Sequence, residues 1–181
     1  LTRAPFYFVR HGETEWNLQG LMQGQTNIPL NDTGREQARR AAGLLAELPI
    51  LSMCVSPLDR ALETATIIQE TLNVPMDVVP DLQEVGCGEN EGKPFERKSD
   101  WHDGKSAPLG GESYSEFLER VLRGLAVSLD RPGPVLVVSH GQVFRTLIKA
   151  IGTHREEHTP NGIPMHLTPI DAAWSLDLLT P

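Results

Sequence analysis

The sequence predicts a three-layer α/β/α sandwich with a largely parallel central sheet. Two observations carry that prediction. Short apolar runs rich in β-branched and aromatic residues lie at 6–9, 51–55 and 135–138, the pattern of strands buried on both faces. Between them run stretches with apolar residues at helical spacing, and strands alternating with helices pair in parallel through crossovers. The 181 residues show no repeat, low-complexity run or linker, so they read as a single domain, 1–181.

The elements follow in order. Pro5-Phe6-Tyr7-Phe8-Val9 is a strand ended at once by polar residues. Asn31-Asp32-Thr33 caps a helix running to about Leu48, with Ala38, Ala41, Ala42, Leu45 and Leu48 on one face and Pro49 ending it. A strand at 51–55 precedes a helix from about Leu58 to Leu72, whose apolar face is Ala61, Ala65, Ile68 and Leu72. Met76–Val79 is a short strand stopped by Pro80. The glycine- and charge-rich stretch at about 86–112 reads as a short lid. Glu112 to Leu129 is an amphipathic helix with Phe117, Val121, Leu125 and Leu129 aligned. A strand at 135–138, a helix at about 141–151 and a last strand at 172–179 complete the chain.

The formal net charge of −8 argues against a nucleic-acid partner, which would require a basic face. It leaves room for an anionic substrate, because a local cationic pocket can sit in an acidic protein. Cys54 and Cys87 are far apart and form no Cys-x-x-Cys pair, which fits a reducing compartment. No apolar stretch is long enough to span a membrane, and residues 1–10 hold no apolar signal-peptide core. The expected setting is cytoplasmic, without a membrane partner.

The chemistry gathers at strand ends. The first strand runs into Arg10-His11-Gly12-Glu13, the 135–138 strand into Ser139-His140-Gly141, and the 51–55 strand into Ser56-Pro57-Leu58-Asp59-Arg60. Alone, the first four residues read equally well as a surface turn. Parallel strands, however, bring their C-terminal ends together, so Arg10, His11, Arg60 and His140 are expected to converge on one anion. A guanidinium fork suits a phosphate, an imidazole can attack phosphorus, and Gly12 would let the backbone approach a ligand. Asn17 can donate an amide hydrogen to a phosphate oxygen, and the Gln142 backbone N–H lies at a helix start suited to anions. Beside a dianion, His140 is expected to favour its cationic form.

Five pieces, taken in order, resemble the histidine phosphatase superfamily, which includes the cofactor-dependent phosphoglycerate mutases. They are Arg10-His11-Gly12-Glu13-Thr14-Glu15-Trp16-Asn17, Ser56-Pro57-Leu58-Asp59-Arg60-Ala61, Leu82-Gln83-Glu84, Gly110-Gly111-Glu112-Ser113 and Ser139-His140-Gly141. The resemblance spans residue 6 to about residue 145 and implies the same sandwich fold. It implies that His11 is a nucleophile carrying a phosphohistidine, with Arg10, Arg60 and His140 stabilising the transferring group. It puts the general acid and base on Glu84, where Glu13, Glu89 and Glu91 compete on chemistry alone. It implies substrate contacts at Gln23 and Gly24, and phosphate binding at Arg10, Asn17, Arg60, Gly141 and Gln142.

The chain departs from its relatives in the lid. Gly88-Glu89-Asn90-Glu91-Gly92 lacks the aromatic of Gly-x-Trp-Glu-Gly, and 92–110 is short. Trp101 either covers part of the pocket or packs beneath the lid. The nearest match to the arginine pair of mutases is Arg97-Lys98, whereas Asn161-Gly162-Ile163-Pro164 resembles a segment near the mutase C-terminus. The expectation is a metal-independent, cofactor-free phosphatase for a small phosphorylated metabolite. A phosphoglycerate mutase is the alternative, and a non-catalytic phospho-ligand binder a third. His154-Arg155-Glu156-Glu157-His158 fits a zinc-protease pattern, but it follows Gly152-Thr153 and closely precedes Pro160, so it reads as a helix end and a loop.

Overall fold

The protein is described as a computed structural model covering residues 3–95, 101, 104, 107–153, 159–171 and 173–180. Among these residues six strands form one sheet in the order β3-β2-β4-β1-β5-β6. They are β1 (Phe6–Arg10), β2 (Ser52–Val55), β3 (Met76–Val78), β4 (Val135–Ser139), β5 (Pro164–Ile170) and β6 (Ala173–Leu178). The first four pair in parallel, while β5 runs antiparallel to both β1 and β6. The described residues also form helices α1 (Glu15–Leu18), α2 (Asp32–Leu45), α3 (Asp59–Leu72), α4 (Tyr114–Leu129) and α5 (Gly141–Ile151), with 3₁₀ turns at Pro80–Leu82 and Gly88–Asn90.

The alternation within β1 builds the layers. Phe6 and Phe8 point into a core made with α4 and α5, including Phe117, Val121, Val143, Phe144 and Leu147. Tyr7 and Val9 point the other way, into a core with Ala41, Ala42 and Leu45 of α2 and Ala61, Ala65 and Ile68 of α3. Helices on both faces leave β1 and β4 dry, which explains their continuous apolar sequences. The expected sandwich is therefore the observed one.

Two elements lie outside the sequence-based expectation. Strand β5 carries Pro164 and Pro169, which argue against a strand. Pro164 opens the strand, and Pro169 lies beyond the residues that pair with β1, so neither interrupts that ladder. The short helix α1 forms because Thr14 and Asn17 close a capping box around it. Helix α2 stops at Leu45 instead of Leu48, although Leu48 still packs against the core. Helix α4 starts at Tyr114, with Ser113 and Glu116 as a second capping box.

Trp101 is buried, donates its indole N–H to the Glu112 carbonyl at 2.8 Å and meets Tyr114 and Phe117 edge-on or tilted. Of its two sequence readings, packing beneath the lid is the one realised. Arg97-Lys98 and the 154–158 segment lie outside the described residues. Among the described residues no helix is long and apolar enough to cross a membrane.

Candidate active site

Strands β1 and β4 are neighbours in register, with Arg10 opposite Ser139. The residues that follow therefore meet at the C-terminal end of these central strands. The His11 and His140 rings lie 5.2 Å apart, centroid to centroid, both essentially buried. The His11 backbone N–H continues the ladder, donating to the Ser139 carbonyl at 2.9 Å.

His11 Nδ1 lies 2.7 Å from the Gly12 carbonyl. A carbonyl only accepts, so Nδ1 carries the proton and Nε2 keeps its lone pair. Burial, then the Arg60 and Arg10 charges, hold the imidazole well below its ordinary pKa, so it is neutral at neutral pH. The Gly12 expectation needs correction. A side chain there would meet the Gly34 carbonyl at 2.3 Å, so Gly12 admits the start of α2 and not a ligand.

Arg60 is fully buried in the first turn of α3. A cation gains nothing from the positive end of a helix, so its position must be held by acceptors. It donates to the Gly24 carbonyl at 2.7 Å, to the Thr26 carbonyl at 3.0 Å and to His11 Nε2 at 3.3 Å. Gly24, at φ +52°, is thus a support for Arg60, and a side chain there would collide with the Glu91 carboxylate. Arg10 donates to the Thr159 carbonyl at 2.7 Å and lies so close to Gly141 that a Cβ there would sit 3.3 Å from its Nε. Burial lowers both guanidinium pKa values to about 10, leaving both charged at neutral pH.

His140 Nε2 lies 2.6 Å from Ser56 Oγ, the first residue of the Ser56–Ala61 piece, to which sequence reasoning assigns no role. Burial first, then the Arg60 charge, push this imidazole well below its ordinary pKa. In the protein alone His140 is therefore neutral, and the expected cation requires a dianion beside it. Three buried polar atoms have no hydrogen-bond partner among the described residues: Arg10 Nε, which faces Gly141, and His140 Nδ1 and Gln142 Nε2 on the residues either side of that glycine. Such atoms are expensive to leave unpaired, and together they suit an oxyanion.

Glu84 reaches the same place from the loop after β3. Its Oε2 accepts the Gln142 backbone N–H at 3.1 Å and its Oε1 accepts that of Val85 at 3.0 Å. This corrects the reading of the Gln142 backbone as a site for a bound anion: the protein's own carboxylate takes that N–H, and the side-chain amide is the free group. Arg120 supports the loop, donating to the carbonyls of Asp81, Gln83 and Glu84 and pairing with Glu112 at 2.7 Å. Two of the three competing carboxylates are otherwise engaged. Glu91 accepts from the backbone N–H groups of Gln25, Thr26 and Cys87 and from the Thr26 hydroxyl. Glu13 accepts from the Asn31 amide, and Glu89 is exposed.

Asn17 and Gln23 both turn their amide oxygens towards Thr14, at 3.2 and 2.9 Å from its hydroxyl. Asn161 stands out in sequence only as part of a mutase-like segment, yet it donates to the His11 carbonyl at 2.9 Å. Thr14, Ser56 and Asn161 escape local pattern because each acts through a contact with a distant segment or a turn.

The two buried histidines make stability depend on pH. The unfolded chain takes up protons as pH falls through about 6.5, while folded His11 and His140 do not. Stability should thus fall as pH drops from 7 to 5.5, at up to about 1.4 kcal/mol per pH unit for each histidine. Urea melts at the two pH values measure this, and an unchanged midpoint would show that the rings are not held neutral.

The family model for histidine phosphatase superfamily (branch 1) matches residues 6–171. The chain is 39% identical to an uncharacterized phosphatase, PhoE, of Bacillus subtilis (strain 168), over 79% of this chain and 75% of the relative. It is 34% identical to a probable phosphoglycerate mutase, GpmB, of Enterobacter sp. (strain 638), over 80% of this chain and 73% of that one. A crystal structure of phosphoglycerate mutase from Thermus thermophilus superposes with a TM-score of 0.78 at 30% identity, covering 98% of this chain and 99% of the other. Fold, motif order and these likenesses agree, and the chain belongs to the histidine phosphatase superfamily.

Proposed function

We propose that the protein is a metal-independent phosphatase that hydrolyses small phosphomonoesters through a phosphohistidine on His11. The observation that carries the reading is the buried His11, its Nδ1 committed to the Gly12 carbonyl, its Nε2 lone pair beside Arg60 and its ring 5.2 Å from that of His140. The Nε2 lone pair attacks phosphorus while the bond from phosphorus to the leaving oxygen breaks. Arg10, Arg60, His140, Asn17 and the Gln142 side chain receive the equatorial oxygens, whose charge is the main load in such a transfer. Gly141 gives Arg10 its room, and Gln23 and Gly24 line the approach. Glu84 passes its proton to the leaving alkoxide. Water then attacks the phosphohistidine and gives a proton to Glu84. The P–N electron pair returns to Nε2, and orthophosphate leaves.

The substrate is a small phosphorylated metabolite. No residue role in this scheme calls for a metal or a separate cofactor. The free cysteines Cys54 and Cys87 fit a reducing, cytoplasmic setting. The likeness to the Thermus mutase favours one second reading, transfer of a phosphoryl group between 2- and 3-phosphoglycerate. Orthophosphate release from p-nitrophenyl phosphate in excess chelator, beside exchange between the two phosphoglycerates, separates them. Chelator-resistant release without exchange is expected. Exchange that outpaces release would make the protein a mutase, and loss of release in chelator would remove the metal-independent mechanism.

A further inference from the structure

We propose that Asn161 is a positioning residue that presents the Asn17 amide to the phosphoryl group hydrogen-first. The inference rests on the proposed anion site, but its test does not require hydrolysis.

The argument is one of donors and acceptors. Asn161 Nδ2 lies 2.9 Å from the His11 carbonyl, and a carbonyl only accepts, so the NH2 end of Asn161 must face it. Asn17 Oδ1 lies 3.2 Å from the Thr14 backbone N–H, and an N–H only donates, so the oxygen end of Asn17 must face that. Both amides are thus oriented by backbone groups that cannot change character. They then meet correctly: the second hydrogen of Asn161 Nδ2 goes to Asn17 Oδ1, at 3.2 Å. With its oxygen engaged, Asn17 keeps both hydrogens on Nδ2, which has no hydrogen-bond partner among the described residues. A flipped Asn17 would turn a lone pair towards a phosphate, repelling the group it is meant to hold.

The segment carrying Asn161 is fixed for this task. The Gly162 N–H donates to the Arg10 carbonyl at 2.9 Å, and the Thr159 carbonyl receives the Arg10 guanidinium at 2.7 Å. Gly162 sits at φ +66°, where a side chain would meet Gln37 at 2.6 Å, so this turn admits only glycine. One stretch distant in sequence thereby braces Arg10, His11 and Asn17 together.

The test is a double-mutant cycle read by orthophosphate affinity in calorimetry, with thermal melts confirming that each variant is folded. Asn161→Ala should weaken orthophosphate binding about tenfold in the wild type and less than about twofold in Asn17→Ala, because coupled residues are not additive. Asn161→Ser, which keeps one donor, should fall between and serves the same cycle if the alanine variant is unstable. Equal losses in both backgrounds would overturn the proposal, because Asn161 would then act on the fold or on His11 alone. A wild type that binds no orthophosphate would overturn both this inference and the anion site. Coupled loss of binding in a protein that never releases phosphate from esters would support the inference and remove only the hydrolase reading.

Discussion

His11→Ala should abolish ester hydrolysis, with a loss of at least about 10⁴-fold in phosphate release, the scale seen when a covalent nucleophile is removed. The ring's second nitrogen is committed to the Gly12 carbonyl, so Nε2 is the atom left to attack. Burial, then the Arg60 and Arg10 charges, keep that nitrogen unprotonated at neutral pH, and Arg60 Nε holds it in place at 3.3 Å. The same guanidinium can then follow the charge as it moves onto the phosphoryl oxygens. A covalent step is also directly visible. Protein quenched in alkali during turnover of a ³²P-labelled ester should carry an acid-labile label in the wild type and none in His11→Ala. Residual turnover near the wild-type rate, or label that survives acid, would move the nucleophile elsewhere. Loss of the ring leaves Arg60 Nε without that acceptor and opens a small cavity, so the melt should shift down while remaining cooperative.

The parts of the fold and of this site that the sequence makes legible are those carried by local signals. Arg10, His11 and His140 follow apolar runs whose strand character is plain, and parallel pairing does the rest. Arg60 is legible as the start of an apolar-faced helix. Strand β5 is hidden because its prolines read against a strand; Pro164 stands at the end of the β1 ladder opposite Val9 and Pro169 lies beyond it, and that depends on register, which sequence periodicity does not report. The polar braces are hidden for a related reason. Glu91 binds the 25–26 loop, Ser56 binds His140, and Asn161 binds His11 across about 150 residues. Each joins segments brought together only by the folded sheet. Glu84 is intermediate: periodicity gives no hint of it, the family resemblance places it, and its contact with the Gln142 N–H explains how a loop carboxylate is held at the start of α5.

Glu84→Gln should separate substrates by leaving group. For an alkyl phosphate, the departing alkoxide needs a proton, and kcat/KM should fall about 10²- to 10⁴-fold, the usual worth of general acid catalysis. For p-nitrophenyl phosphate the leaving anion is stable without a proton, and kcat/KM, which reports the first transfer, should stay within about tenfold. The second step still needs a base to take the proton of water. The variant should therefore release one equivalent of p-nitrophenolate in a burst and then turn over slowly. The geometry sharpens the test. Both Glu84 oxygens accept backbone N–H groups, from Val85 and Gln142, and glutamine can satisfy only one of them. Some loss common to every substrate must come from this disturbance, so the difference between leaving groups is the diagnostic quantity. Equal losses for both esters, without a burst, would mean that Glu84 orders the start of α5 and that the proton comes from another group. Glu91 would be a poor replacement, because three backbone N–H groups and a hydroxyl already hold its carboxylate in place.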